Sequence, residues 1–248
     1  MKIATILPIA HLHLEQNNDY HLCLAHLLGD DEYFNFFKAQ ASAGKFVMMD
    51  NGVVEVGKPL TIEELYDLAV EVGVNEFILP DAIRDRGATL ALSGQAIGYC
   101  LKRMRSEGRW MNLVAVPQGA TAEEWADCVR EMLAWPVRTI GISRFTNAYF
   151  PNRLEALRAV PELIASSKDI HLLGCPGDPA EMADIDRSFP GRIRGVDSGI
   201  AAMYTQVGKA MCDGEPKPVV ELDFAGVLPE FLLKLNIAWW QDRIQGCV

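Results

Sequence analysis

Short apolar segments that end in polar residues recur along this chain, and an amphipathic segment follows most of them. The clearest is Lys-Phe-Val-Met-Met-Asp-Asn-Gly at residues 45–52, where an apolar run leads into Asp50 and Asn51. Such a run, bounded by turn residues, is typical of a strand that is buried on both faces. Its repetition, with helical patterns in between, predicts parallel strands that are joined by right-handed βαβ crossovers.

The later segments of this kind also end in polar side chains. These side chains are Asp81, Gln118, Ser143, Arg144, Asp197 and Ser198. In parallel α/β folds the C-terminal ends of the strands meet at one edge, and binding sites are built there. The sequence therefore predicts one pocket to which several strands each contribute a polar group.

The alternation of strands and helices indicates the fold class. Strands are predicted at residues 2–9, 45–50, 76–81, 112–117, 138–143, 170–174, 193–197 and, in last place, 219–223. Such repeats, without a G-x-G-x-x-G motif after the first strand, favour an α/β fold of the closed (β/α)8 TIM barrel type over a dinucleotide-binding sheet. Because no linker or charge run divides the 248 residues, we expect a single domain over residues 1–248.

The composition limits the classes of function. The formal net charge is -10, so binding of nucleic acid would require a local basic patch or a partner. The six cysteines are scattered without a C-x-x-C pair, which argues against a zinc ribbon and against a disulfide framework. No apolar run approaches the roughly 20 residues that span a bilayer, and the N-terminus lacks a convincing signal peptide. We therefore expect a cytoplasmic protein without a membrane partner.

Three aspartates at strand ends, Asp50, Asp81 and Asp197, form the candidate chemical centre together with Gln118. A single aspartate at such a position most often caps the next helix, but several that converge on one pocket indicate function. In a carboxylate pair, one member attacks carbon as a nucleophile while the other transfers a proton. The remaining carboxylate and the amide suit a ligand with hydrogen-bond donors along one edge, such as guanine.

The order of the strand-end motifs resembles that of the tRNA-guanine transglycosylase superfamily. The motifs are Met49-Asp-Asn-Gly52, Leu79-Pro-Asp81, Val116-Pro-Gln-Gly119, Ile140-Gly-Ile-Ser143, His171-Leu-Leu-Gly174 and Gly195-Val-Asp-Ser198. The resemblance covers the chain from residue 45 to about residue 205. It implies a (β/α)8 barrel enzyme, a pentosyltransferase that exchanges guanine in a polynucleotide for a 7-deazaguanine through a covalent aspartyl-sugar intermediate.

The resemblance also implies roles for individual residues. Asp197 corresponds to the nucleophile that attacks C1′ of the sugar, and Asp50 to the aspartate that transfers protons beside it. Asp81 and Gln118 correspond to the residues that read the guanine-like edge. Backbone contacts to the base, or a wall of the base pocket, are implied for Gly141, Ile142, Ser143, Leu173 and Gly174.

The match at Asp197 requires a shift. The family usually has two aspartates three residues apart at this point, and the second is the nucleophile. An ungapped match would place Ile200 there, and its side chain has no nucleophilic atom. With the shift, Val196-Asp-Ser198 takes the place of the family's Phe-Asp followed by Cys or Ser, because Asp197 is the carboxylate available.

The C-terminal part departs from the tRNA-acting members, because it lacks the spacings of their three-cysteine, one-histidine zinc subdomain. In this respect the chain is similar to short relatives, phage-encoded ones included, that place deazaguanines in DNA. The expected partners are DNA, with tRNA as the alternative, a free 7-deazaguanine and a protein that delivers the nucleic acid. No metal and no cofactor are expected, and the target base must leave the stack. A phosphate-binding rim is predicted from Arg84, Arg86, Lys102, Arg103, Arg144 and Arg153.

Two other classes of function remain open. His11 and His13 have the spacing that begins the metal site of amidohydrolase barrels, and imidazole pairs suit zinc. Such a site needs further histidines at later strand ends. His21 and His26 are expected on a helix, and His171 is expected at the start of its strand, on the wrong face. The second alternative is a barrel that binds a base or regulates a partner without catalysis.

Overall fold

Short apolar runs form the strands of the protein. Each strand is buried on both faces, one toward the barrel interior and the other against the surrounding helices. The computed structural model describes residues 1–52, 60–175 and 179–246. The strands are β1 (Lys2–Thr5), β2 (Tyr20–Leu24), β3 (Phe46–Asp50), β4 (Glu76–Ile78), β5 (Asn112–Ala115), β6 (Thr139–Ser143), β7 (Asp169–Leu173) and β8 (Ile193–Ser198). The helices are α1 (Asp31–Ser42), α2 (Ile62–Val72), α3 (Arg86–Glu107), α4 (Ala122–Leu133), α5 (Arg153–Arg158), α6 (Pro161–Ala165), α7 (Ala180–Ser188), α8 (Ile200–Gln206) and α9 (Glu230–Gln245).

The eight strands belong to one parallel sheet with the order β1-β8-β7-β6-β5-β4-β3-β2. From β2 to β8 the strands follow the order of the chain, and β1 pairs with β8, where Ala4 lies opposite Asp197. β1 and β2 lie side by side as well, so that the sheet forms a nearly closed barrel. The predicted (β/α)8 TIM barrel is thereby confirmed.

Two predictions about the strands are wrong. Residues 20–24 form β2, since all five are buried and pair with β3, whereas the sequence predicted a helix there. His21 therefore lies on a strand, and His26 lies on a short 3-10 helix. Residues 219–223 form no strand, and Val219 is fully exposed. The barrel therefore reaches eight strands through β2, near the start of the chain, whereas the sequence had predicted the additional strand at residues 219–223.

Capping interactions fix the starts of two helices. At α2, the Thr61 hydroxyl accepts the Glu64 N–H and the Glu64 carboxylate accepts the Thr61 N–H, which completes a capping box. At α4, Thr121 accepts the Glu124 N–H, but the Glu124 carboxylate accepts from the Ala120 N–H instead. A cap of this kind stabilises a helix by about 1 kcal/mol and fixes the loop that precedes the helix.

The apolar core fills the barrel and the space between the barrel and the helices. Its largest side chains include Trp125 of α4 and Trp240 of α9, both fully buried. Within the described ranges, no helix has both the length and the apolar surface needed to cross a bilayer.

Candidate active site

A cavity of about 510 Å³ lies at the C-terminal ends of the strands. Residues at or just beyond the ends of all eight strands line it, and its volume suits a small organic ligand. Four predicted polar residues lie in its wall: Asp50 at the end of β3, Asp81 after β4, Gln118 after β5 and Asp197 on β8. The structure therefore brings these four side chains, which are distant in sequence, to one site.

Asp81 is held by two amide side chains. Asn51 Nδ2 donates to Asp81 Oδ1 at 2.7 Å, and Gln118 Nε2 donates to Asp81 Oδ2 at 2.6 Å. A second hydrogen bond fixes the orientation of each amide. Asn51 Nδ2 also donates to the Leu79 carbonyl at 2.8 Å, while Gln118 Oε1 accepts the Arg84 N–H at 3.2 Å. Both amides therefore present N–H groups, and not oxygens, to the carboxylate.

The Asp81 carboxyl group is only 2% exposed. Burial raises its pKa from 3.8 to about 6, and the hydrogen bonds from Asn51 and Gln118 oppose this rise. The group is therefore mainly a carboxylate at neutral pH. Its two oxygens have lone pairs beyond those used by the two amides, so it can accept hydrogen bonds from a ligand that enters the cavity.

Asp197 is also buried, with 6% of its surface exposed. His171 Nε2 lies 2.9 Å from Asp197 Oδ1. The Gly174 N–H lies 3.4 Å from Oδ1 and 3.3 Å from Oδ2, which are long hydrogen bonds. Oδ1 of Asp197 thus makes a short contact with His171. Asp197 also forms part of the cavity wall.

Asp50 is a further carboxylate in the wall of the cavity. It is the last residue of β3 and is partly exposed. Its Oδ2 accepts the Gly52 N–H at 2.9 Å, and Gly52 adopts a left-handed φ of 76° that suits glycine. Asp50 is thus more accessible than Asp81 and Asp197, as proton exchange with a ligand requires.

The residues predicted to contact the base divide into two groups. Ser143, Leu173 and Gly174 line the cavity. Gly141 and Ile142 are not among the described residues of its wall. At Gly141, an added Cβ would lie 2.9 Å from Leu173 Cδ1, so the glycine makes room for the Leu173 side chain. Ile142 is fully buried, and its carbonyl accepts a hydrogen bond from the Arg153 guanidinium.

The predicted basic rim is only partly at the cavity. Arg144 lines it, with its guanidinium over the Phe145 ring at 5.1 Å. Arg84 is exposed and contributes its backbone N–H to Gln118. Arg86 pairs with a carboxylate of α4 at 3.0 Å. The prediction is wrong for Arg153, which is fully buried and forms an ion pair with α7.

The sequence interpretation missed a second cation at the cavity, Lys217. Its Nζ donates to the Cys175 carbonyl at 2.7 Å. The pKa of Lys217 is lowered to about 8, chiefly by burial and also by the neighbouring charge of Arg144. Lys217 lies in an irregular segment with no periodic pattern, so only the folded chain reveals its position.

His171 was assigned to the wrong face, and the structure corrects this. It is fully buried inside the barrel and contacts Asp197. The sequence contains a signal for this position. Residues two apart on a strand face the same way, and Leu173, which was predicted to contact the base or form a wall of its pocket, lines the cavity.

The histidines of the amidohydrolase pattern lie elsewhere. His11 Nε2 accepts the Leu228 N–H at 2.8 Å, and His13 lies 3.5 Å from the Glu230 carboxylate on α9. Neither histidine is among the described residues of the cavity wall. In the ranges 1–52, 60–175 and 179–246, no three His, Cys, Asp or Glu side chains form a group that could hold a metal ion.

Fold and site together define a class: a (β/α)8 barrel whose C-terminal pocket is lined, among the described residues, by four carboxylates (Asp50, Asp81, Asp197 and Glu221), two amides and two cations. The sequence matches no protein-family model and no curated protein. The geometry of the pocket is therefore the basis for inferring a function.

Proposed function

We propose that this protein is a guanine transglycosylase that exchanges guanine in DNA for a free 7-deazaguanine. The observation that carries the proposal is the buried Asp81 carboxylate, which two amides hold in the same cavity as Asp50 and Asp197. An edge-reading carboxylate and a carboxylate pair are the two components that such an exchange requires.

Asp81 supplies the acceptors that recognise the base. Guanine and 7-deazaguanines present N1–H and an exocyclic amine side by side, and a carboxylate can accept from both. Asn51 and Gln118 hold the carboxylate in place. Adenine has no N–H at N1 and would leave the buried carboxylate without its partners, which is the kind of loss that gives strong discrimination.

The exchange proceeds in two displacements at C1′ of the sugar. An Asp197 oxygen attacks C1′ as the bond from C1′ to the guanine nitrogen breaks; guanine leaves with the bonding electrons and takes up a proton. The 7-deazaguanine then loses a proton as its nitrogen attacks C1′, and the bond from C1′ to Asp197 breaks. Asp50 transfers these protons, because it is the more accessible of the two carboxylates.

Two cations suit the polynucleotide. Arg144 and Lys217 lie in the wall of the cavity, and their mutual repulsion contributes to the lowered pKa of Lys217. A phosphate beside them would relieve this repulsion. Because the chain as a whole is acidic, a short contact with a flipped-out or single-stranded nucleotide fits it better than a long contact with a duplex.

Incubation with labelled 7-deazaguanines and either DNA or tRNA tests the proposal. We expect label in DNA, release of one guanine per incorporated base, and no incorporation by the Asp197→Asn variant, which should still bind the free base. Incorporation of label into tRNA would support the exchange reaction but would identify tRNA, and not DNA, as the polymer that is modified. Binding of the free base without incorporation into either polymer would favour a base-binding barrel without catalysis and would refute the exchange.

A further inference from the structure

A chain of buried hydrogen bonds extends from Asp197 down through the barrel interior. Asp197 contacts His171 Nε2, and His171 Nδ1 lies 2.8 Å from the Tyr20 hydroxyl. The Tyr20 oxygen accepts from Arg194 Nε at 3.1 Å. Arg194 in turn forms an ion pair with Glu76 and donates to the Thr139 hydroxyl at 3.0 Å. The chain joins the cavity to a polar layer near the N-terminal ends of the strands.

The direction of these hydrogen bonds follows from Arg194, which lies at the end of the chain away from Asp197. A guanidinium has donors and no acceptor, so the Tyr20 oxygen must accept from Arg194. The Tyr20 hydroxyl proton is then available for His171 Nδ1. Burial raises the pKa of Tyr20 above its ordinary value, so this hydroxyl keeps its proton. When that proton is directed to Nδ1, His171 accepts at Nδ1 and donates from Nε2–H to Asp197.

Two local features of β8 make this chain possible. The pairing of β7 with β8 shifts by one residue, since Ile170 lies opposite Ile193 but His171 lies opposite Gly195. Arg194 is the extra residue, and a bulge of this kind re-aims a side chain. Arg194 and Asp197, an odd number of residues apart, thereby both reach into the barrel. At Gly195 an added Cβ would lie 2.6 Å from the Tyr20 ring.

We infer that Arg194, Tyr20 and His171 act as a positioning relay that fixes the His171 tautomer and holds Oδ1 of Asp197, which leaves Oδ2 to attack the substrate. Among the described contacts, Oδ2 accepts only the long bond from Gly174. The relay therefore acts on the carboxylate that attacks the sugar.

The charges around the relay are balanced on several elements. Glu76 of β4 and Asp169 of β7 face Arg194, the latter at 3.5 Å. Lys2 of β1 lies over the Tyr20 ring at 5.7 Å. The part of the inference that concerns rates rests on the proposed exchange reaction, whereas the direction of the hydrogen bonds does not.

Nitrogen NMR of histidine-labelled protein tests the direction. We expect the wild type to have the proton of His171 on Nε2 and a hydrogen bond from Tyr20 at Nδ1. In the Tyr20→Phe variant, which keeps the ring stacked on Phe46, the Nδ1 signal should shift to that of a nitrogen without a donor. A proton on Nδ1 in the wild type, or an unchanged Nδ1 signal in the variant, would overturn the relay.

Kinetics test the consequence for Asp197. In Tyr20→Phe, the rate of covalent adduct formation should fall roughly 10- to 100-fold, as expected for a lost buried hydrogen bond, while the affinity for free base stays unchanged. Tyr66→Phe is the matched control, because this buried hydroxyl donates to Glu107, which is not a residue of the cavity wall. Equal adduct rates in the Tyr20 variant and the control would refute the positioning role.

Replacement of His171 separates positioning from packing. His171→Gln keeps an N–H donor within reach of Asp197, whereas His171→Leu fills a similar volume without any donor. We expect adduct formation to be partly retained in the glutamine variant and to be lost in the leucine variant, with both folded by circular dichroism. Equal rates in the two variants would contradict the relay. If the wild type forms no adduct, the proposed exchange fails, while the NMR result still decides the hydrogen-bond direction.

Discussion

At the scale of single residues, Asp81 illustrates how a site retains a carboxylate in an apolar environment. A buried carboxylate without a close cation is costly, and the rise of its pKa to about 6 reflects that cost. The two amides reduce the cost without adding positive charge. The carboxylate therefore remains free to accept hydrogen bonds from a neutral ligand, which an arginine partner would have prevented.

Replacement of Asp81 by asparagine should separate ligand binding from stability. In the Asp81→Asn variant, affinity for a free 7-deazaguanine should fall by roughly 1–3 kcal/mol or more, because acceptors become donors. In the wild type, affinity should fall as the pH drops below about 6, since Asp81 then takes up a proton. Isothermal titration between pH 5 and pH 8 measures both effects. Unchanged affinity in the variant would remove Asp81 from the base site.

Stability should change with pH in the opposite sense. Because the folded pKa of Asp81 lies above its ordinary value of 3.8, the native state binds more protons than the unfolded state between about pH 4 and pH 6. Its stability contribution is therefore largest at low pH and falls by about 3 kcal/mol across that window. Urea unfolding should show that this fall is absent in Asp81→Asn and present in Asp184→Asn, whose carboxylate is exposed.

At the scale of elements, β8 carries most of the site's special geometry. It supplies Asp197, the bulged Arg194 and the glycine that makes room for Tyr20. The C-terminal end of the strand serves the cavity, and its N-terminal half holds the polar layer beneath. A strand that serves both purposes tolerates little change in backbone or volume.

A methyl group at Gly195 should disturb this strand. In Gly195→Ala, the added Cβ would meet the Tyr20 ring at 2.6 Å and the Lys2 carbonyl at 2.9 Å. Overpacking of this kind should lower the free energy of unfolding by roughly 1–3 kcal/mol, as measured by urea denaturation. Gly98→Ala on α3 is the control, because nothing lies within 4 Å of its Cβ and helix propensity favours alanine. Equal stability of the two variants would contradict the tight approach.

The elements also show which features a sequence can predict. Strand ends such as Asp50, Asp81 and Asp197 were predictable, because an apolar run that stops at a polar residue is a local signal. β2 was not, since five buried residues that include a histidine lack a clear period. The shift at Arg194 and the place of Lys217 depend on packing between distant segments, which leaves no local pattern.

At the scale of the whole molecule, an acidic chain presents two cations at one cavity. The net charge of -10 repels a polyanion at long range, so attraction must come from contacts near the site. Such a protein should bind nucleic acid with a weak dependence on salt, because few phosphates are neutralised. Specificity then depends on the pocket and not on a broad basic surface.

Removal of the Arg144 charge should be visible in that salt dependence. In Arg144→Gln, the slope of the logarithm of affinity for single-stranded DNA against the logarithm of salt concentration should become smaller by about 0.7–1. Fluorescence anisotropy at several salt concentrations measures it. Arg187→Gln, which removes an exposed arginine that pairs with Asp184, should leave the slope unchanged. The same slope in both variants would remove Arg144 from the phosphate contact.

We propose that Asp197, oriented from within the barrel, is the nucleophile that forms the covalent intermediate. To test this, the protein is incubated with DNA in the absence of free base, the reaction is quenched, and the covalent adduct is located by peptide mass spectrometry. We predict a nucleotide-linked peptide that contains Asp197, which is present in Asp50→Asn and absent from Asp197→Asn. An adduct on Asp50, or an adduct that persists in Asp197→Asn, would contradict the account.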